Sequence, residues 1–301
     1  VIRGLVMELN THYGVTDVVG FRNGYAGLVP ARGYEPIALT TERVASINMQ
    51  GGTILGTSRG AQDSEVMVDR LVELGIDILF VIGGDGSIRG ASKIAAVARG
   101  RGLDLSVIGI PKTIDNDIPF IGQSFGFQTA FTVAAQSIAA AQVEAQSAVN
   151  GVGLVQLMGR HAGFIACYAA LANHHADFVL IPEVPFALDG ESGFLAALQR
   201  RVAERGSAVV VVAEGAGQDL MADRAGTDAS GNRKLGDIGR YLEAAIVGHY
   251  RALGRELTLK YLKPSYSIHV GAAGHPGVRG GLGQPDAVDR IEGLGRHRTD
   301  R

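Results

Sequence analysis

Short apolar runs alternate along this chain with longer segments whose apolar positions recur every three to four residues. Residues 78–82, 105–110, 152–157, 177–181 and 208–213 are brief and rich in β-branched side chains, and turn residues bound them. That pattern predicts buried strands. Residues 15–21 read as one more strand and residues 259–266 as the start of another. The segments between them have helical periodicity. Residues 1–9 put Ile2, Leu5, Val6 and Leu9 on one face, and residues 64–74 turn Val68, Leu71 and Val72 inward. Residues 87–99 carry Ile88, Ala91, Ile94 and Ala95. Residues 123–146 form the longest stripe, through Phe127, Ala130, Phe131, Ala134, Ile138, Ala141 and Ala145. Residues 164–171, 190–205 and 236–253 complete the predicted helices. Strand–helix–strand alternation implies an α/β fold, with mainly parallel sheets covered by helices on both faces.

Composition narrows the possibilities. The 301 residues suffice for two domains, and 46% are apolar, enough for a sizeable core. The net charge of −2 gives no basic excess, so neither nucleic acid nor an anionic membrane surface is expected as a partner. Cys167 is the only cysteine, which excludes an internal disulfide and fits a cytoplasmic location. Its apolar helical context marks it as packing rather than a nucleophile. No apolar run approaches the roughly 18 residues of a membrane span, and the first residues carry no signal-peptide pattern.

Candidate chemistry concentrates between residues 80 and 118. The cassette Gly83-Gly84-Asp85-Gly86-Ser87 follows a predicted strand, where ligands collect in parallel sheets. Its glycines let backbone N–H groups approach phosphate oxygens. The carboxylate of Asp85 makes sense beside a phosphate if Mg²⁺ lies between them. Ser87 is expected to cap the following helix. A Gly-Asp-Gly turn without a ligand is the plainer reading. The second cassette is Pro111-Lys112-Thr113-Ile114-Asp115-Asn116-Asp117. An extended backbone there would point Thr113, Asp115 and Asp117 to one side, with Lys112 opposite or folded back. Two nearby carboxylates can divide binding from proton acceptance. Further along, Arg160 is suited to a phosphoryl group, and His161 reads as structural. Glu214 ends a predicted strand, where it could accept hydrogen bonds from sugar hydroxyls.

Together, these segments resemble the phosphofructokinase family. The resemblance rests on residues 52–59, 83–87 and 111–117, on Met158-Gly159-Arg160-His161-Ala162-Gly163, on Ile181-Pro182-Glu183 and on Ala213-Glu214-Gly215, in the family's order. It covers about residues 1–267. It implies two Rossmann-like three-layer domains: residues 1–126 binding nucleotide and Mg²⁺, and residues 127–267 binding sugar phosphate. Residues 268–301 form a divergent tail. In the family a strand and a Gly-rich turn precede the first helix, and by this resemblance both are expected to be missing here, while His269 stands where the family has a substrate-binding Arg. Gly151 stands near where some members place an Arg that reaches a neighbouring subunit.

The implied reaction transfers a phosphoryl group to the 1-hydroxyl of fructose 6-phosphate, the glycolytic step. Asp115 is the implied general base, and Arg160 and Lys112 stabilise charge on the moving group. Arg59, Gly83, Gly84, Asp85, Gly86 and Ser87 serve the donor, with Asp85 on Mg²⁺. Thr113, Asp115, Asp117, Met158, Gly159, Arg160, Glu214 and Tyr266 shape the sugar side. Gly86 leaves room for ATP where pyrophosphate users tend to carry Asp, whereas Lys112 is common among pyrophosphate users. ATP is therefore the expected donor and pyrophosphate the alternative. A homodimer or homotetramer is implied. A catalytically silent homologue remains the rival reading, and NAD and lipid kinases share only the first cassette.

Overall fold

The structure is a computed structural model that describes residues 1–221, 226 and 234–269. The amino-terminal helix α1, Ile2–Tyr13, runs four residues past its predicted end and stops at Gly14, whose φ of 65° suits glycine. The strand expected over residues 15–21 shrinks to β1, Val19–Gly20, paired antiparallel with β2, Ile37–Ala38. One further backbone bond, from Leu39 N–H to the Val18 carbonyl, extends that pairing. A short helix α2, Thr41–Val44, is capped by the Thr40 hydroxyl. Val6, Leu39 and Val44 bury one another there.

A three-stranded parallel sheet follows, in the order β3 (Ile78–Gly83), β4 (Ser106–Thr113), β5 (Phe125–Gly126). Helix α3, Ser64–Glu73, is capped by Asp63, which accepts from Glu65 N–H. It packs with α4, Asp85–Gly100, on one face of β3. Met67, Val68, Leu71, Leu79, Val81, Ala91 and Ile94 make that core. The inward assignment of Val72 is corrected: it is 54% exposed, one position beyond the buried stripe through Val68 and Leu71. Ser87 does not cap α4 either. The helix starts two residues earlier, with Gly84 as its N-cap, so Ser87 lies inside the first turn. On the opposite sheet face Ile78 and Ile108 are 49% and 43% exposed.

The second sheet has four parallel strands in the order β7-β8-β6-β9: β6 Gly151–Leu157, β7 Phe178–Leu180, β8 Ser207–Ala213 and β9 Thr258–Leu262. β6 is central and buried along its whole length, which is why its sequence is apolar on both faces, Gln156 excepted, rather than alternating. Val155, Leu157, Val209, Val211 and Ala213 face α5 (Phe127–Gln146) and α6 (Phe164–Asn173). Val152, Leu154, Val210 and Val212 face α7 (Phe194–Arg205) and α8 (Ile238–Ala252). The result is a helix–sheet–helix sandwich of the Rossmann-like kind.

Three boundaries differ from expectation for local reasons. α5 begins at Phe127 because Phe125 and Gly126 pair with Lys112 and Thr113, and Gly126 has a φ of 102°. α7 begins at Phe194, after Gly190 turns at a φ of 93°. β9 ends at Leu262 rather than near 266, because Pro264 starts the short helix α9, Ser265–His269. Most of the polar loop expected over 220–233, and all but two residues of the tail expected over 268–301, lie outside the described residues. Among those described, no helix is long and apolar enough to cross a membrane.

The α5–β6 contact depends on glycine. A Cβ at Gly151 would sit 1.9 Å from the Ala145 carbonyl oxygen, and one at Gly153 would sit 2.7 Å from that of Ala141. Position 151 therefore holds no side chain in this backbone. Gly151→Ala is expected to destabilise the protein by about 1–3 kcal/mol through overpacking, read as a lower urea midpoint. An unchanged midpoint would contradict this close packing.

Candidate active site

The first cassette sits where β3 gives way to α4. Gly84 N-caps α4 in an extended conformation, and Asp85 is the first helical residue. The Asp85 carboxylate is 69% exposed and pairs with Arg89, one turn further along α4. Arg89 is a partner that the sequence reading missed, although the i,i+4 spacing signals it. A Cβ on Gly83 would overlap the Ser87 side chain, so the serine packs onto the glycine backbone. A Cβ on Gly84 would lie 3.8 Å from both the Lys112 carbonyl oxygen and Thr113 Cβ, which sets the two cassettes side by side. A Cβ on Gly86 would meet nothing within 4 Å. Arg59 is exposed on a neighbouring loop. That loop is tied by Ser58 Oγ donating to the Asn23 carbonyl at 2.6 Å, and Tyr25 Oη donates to the Ser87 carbonyl at 2.5 Å. The turn around residues 23–25 thus bridges the Arg59 loop and the first turn of α4.

The second cassette is not extended throughout. β4 carries Lys112, exposed, and Thr113, half-buried, to its end. Thr113 Oγ1 accepts from Asp115 N–H at 3.2 Å and lies 3.5 Å from Asp115 Oδ2. Asn116 then turns at a φ of 55°. The expectation that one extended backbone aligns Thr113, Asp115 and Asp117 is therefore corrected. The left-handed residue reverses the chain, so Asp117 is exposed while Thr113 and Asp115 are half-buried.

The third group lies at the carboxyl ends of β6, β8 and β9. Glu214 N–H donates to the Leu157 carbonyl and Gly215 N–H to the Gly159 carbonyl, both at 3.0 Å. A Cβ on Gly215 would overlap the Arg160 carbonyl, and Gly159 has a φ of 133°. The turns after β6 and β8 therefore interlock. Met158 is half-buried against the α5–α6 core. His161 is exposed. Gly163 N–H donates to both Glu183 carboxylate oxygens, at 2.8 and 3.0 Å, so Glu183 holds the first turn of α6. Only the backbone of Tyr266 is described, in α9.

Electrostatics join the second and third groups. Burial pushes the Glu214 carboxyl above its ordinary value; the Arg160 charge opposes the shift and the Asp115 charge adds to it, while Lys263 also opposes. Asp115, from the end of β4, thus acts on the same carboxyl as Arg160, from the end of β6. Lys263 was not found from sequence, although its place at the end of β9 is the signal. Its ammonium binds Asp237 at 2.9 Å, and Asp237 caps α8. Cys167 is half-buried, with its thiol pushed up by burial and by the Glu183 charge, which agrees with a packing role.

Among the described residues no three His, Cys, Asp or Glu side chains converge as a metal cage. A single exposed carboxylate suits Mg²⁺, which keeps several waters and takes its remaining ligands from substrate phosphates.

The phosphofructokinase family profile matches residues 1–293. This chain belongs to the phosphofructokinase family. It is 57% identical over 275 residues to the ATP-dependent 6-phosphofructokinase of Amycolatopsis methanolica, covering 89% of this chain and 60% of that protein. It is 47% identical over 271 residues to ATP-dependent 6-phosphofructokinase 7 of Arabidopsis thaliana, covering 89% of this chain and 55% of the relative. The chain thus spans between half and two thirds of the length of these relatives. In fold it resembles the pyrophosphate-dependent phosphofructokinase of Marinobacter aquaeolei, with a TM-score of 0.71 at 24% identity, over 92% of this chain and 68% of that one.

The raised Glu214 carboxyl fixes a sign for this phosphofructokinase chain. The folded state holds that proton more tightly than the unfolded state does. The resulting stability is fully present below the ordinary value of 4.5 and is lost as pH rises through the raised folded value. Glu214→Gln removes the titration. Its stability relative to the parent should therefore improve steadily as pH rises from the acid side towards neutrality, followed by urea unfolding across pH. A gap that does not vary with pH would contradict the burial of this carboxyl.

Proposed function

We propose that this chain carries the catalytic site for phosphoryl transfer from ATP to the 1-hydroxyl of fructose 6-phosphate, giving fructose 1,6-bisphosphate in glycolysis. The observation that carries this reading is the action of Asp115 and Arg160 on one carboxyl, Glu214, although the three come from separate strand ends. Phosphoryl transfer needs positioning and charge stabilisation more than covalent chemistry, and charged side chains held at interlocked strand ends suit both needs. Asp115 takes the proton from the sugar hydroxyl. Arg160 and Lys112 stabilise charge on the transferring group. Thr113, Asp117, Met158, Gly159, Glu214 and Tyr266 orient the sugar phosphate. Arg59, Gly83, Gly84, Gly86 and Ser87 hold the donor, and Asp85, now paired with Arg89, would hold Mg²⁺. The Mg²⁺, when bound, neutralises charge on the donor phosphates. Residues 1–126 form the donor side and residues 127–267 the sugar side, in a cytoplasmic homodimer or homotetramer.

Two observations favour ATP. The relatives at 57% and 47% identity carry ATP-dependent names. The space beside Gly86 is open, so the donor's bulk beyond the transferred phosphates has somewhere to lie. Lys112, exposed at the end of β4, is the feature that favours pyrophosphate as the second reading.

A coupled assay of the purified chain with fructose 6-phosphate, Mg²⁺ and each donor tests the proposal. ATP should support turnover and pyrophosphate should not; the reverse result would select the second reading. Asp115→Asn should lower kcat by about 10²–10⁴-fold, the usual worth of a positioned base. Gly86→Asp should place a carboxylate in the open space and cut kcat/KM for ATP by about tenfold or more, since opposing like charges cost several kcal/mol. Retention of parental turnover by Asp115→Asn would remove the general base from the mechanism.

A further inference from the structure

A side-chain clip lies directly beside the proposed base. β4 and β5 pair at Lys112↔Phe125 and Thr113↔Gly126, so residues 114–124 form a loop with tied ends. Inside it, Asn116 Oδ1 accepts from Ser124 N–H at 2.7 Å, and Asn116 Nδ2 donates to the Gly122 carbonyl at 3.4 Å. Ser124 Oγ lies 2.7 Å from the Thr113 carbonyl and 3.2 Å from Asn116 Oδ1. A hydroxyl has one proton, and the shorter distance assigns it to Thr113. Ser124 is only 3% exposed, so these bonds form away from water, where losing one is costly. Asn116 holds a φ of 55°, a conformation that Asn tolerates better than most residues. On the other side of Asp115, Ile114 packs into the core beneath α5.

Asp115 is thus bracketed. One neighbour, half-buried, packs against the core, the other is clipped across the loop, and its own N–H is held by Thr113. Residues of the loop tip between the clipped ends, among them Asp117, Pro119 and Phe120, are exposed. The tied segment is therefore the one that carries Asp115, not the loop tip.

We infer that Asn116, through Ser124, is a positioning residue that fixes the Asp115 carboxylate for proton abstraction, without touching substrate itself. The inference rests on the proposed role of Asp115. A proton acceptor must lie within about 2.6–3.2 Å of the hydroxyl that it serves. Displacement of about 1 Å by a change away from the chemistry can cost on the order of 10²-fold in rate. The clip is well placed to prevent that displacement.

The informative variant is Asn116→Gly, which keeps the left-handed backbone free of strain while deleting every side-chain bond. It should lower kcat about 10- to 100-fold, with KM for ATP within about threefold of the parent, because the donor cassette is untouched. Combined with Asp115→Asn, it should add no further loss, since a residue acting only through Asp115 has nothing left to position. A kcat within twofold of the parent, or losses that multiply in the double variant, would overturn the inference. Hydrogen exchange gives a readout that does not depend on turnover. Asn116→Gly should speed exchange of the Asp115 and Ser124 amides at least about tenfold and leave the β6 amides unchanged. Unchanged Asp115 and Ser124 amides would also overturn it. A failure of the general-base reading is separately visible, as normal turnover by Asp115→Asn alone.

Discussion

The in-register parallel pairing of β6 between β8 and β9 is the constraint on which the site depends. Leu157 pairs with Ala213, and Val155 with Leu262, so three strands finish near one level. Each strand is followed by the residue or turn that matters: Met158 to Arg160, Glu214 and Lys263. Two backbone bonds then lock the turns after β6 and β8 to each other. Arg160 and Glu214 are neighbours because of this pairing, and no local preference of either segment would produce it. A register slip of one residue would swap the two buried faces of β6, turning Gln156 away from its partners and bringing side chains to the face where Gly151 and Gly153 now meet α5.

The interior makes such a slip expensive. Val155, Leu157, Val209 and Val211 fill one face, and Val152, Leu154, Val210 and Val212 fill the other. Gln156 is the polar exception on the second face. Its Oε1 accepts from Gly239 N–H at 2.9 Å and from the Tyr261 hydroxyl at 2.7 Å. A buried amide with particular partners selects one arrangement of α8 and β9 against β6. The polar residue in the core thus helps specify the geometry that places Lys263 and Glu214.

The first sheet contributes differently. Its two candidate cassettes are held by short-range devices: Gly84 against the end of β4, Tyr25 on the first turn of α4, and the Asn116–Ser124 clip. Asp85 lies exposed with Arg89 as its counter-ion, a pair worth little in water and readily exchanged. The half-buried Asp115 and Glu214 contrast with it. In the proposed reaction, a carboxylate serving a metal needs access, whereas one serving a proton needs a fixed place.

The sequence by itself determined a good deal. The α/β alternation, all four strands of the second sheet and the order of the helices follow from periodicity, because a buried parallel strand must be continuously apolar and a covering helix must be amphipathic. The two cassettes stood out in the sequence because glycines and carboxylates cluster directly after apolar runs, and the structure puts them at the ends of β3 and β4. Tertiary structure alone decided the rest. It shortened the strand expected near Val19, ended β9 at Leu262, turned Val72 outward and bent the chain at Asn116. Each of these depends on a partner distant in sequence, or on a backbone angle that residue type only permits. The same holds for Arg160 and Asp115, whose charges act on the Glu214 carboxyl from strand ends distant in sequence. Spacing along a chain records which face a residue takes, but not which other strand end will stand opposite it.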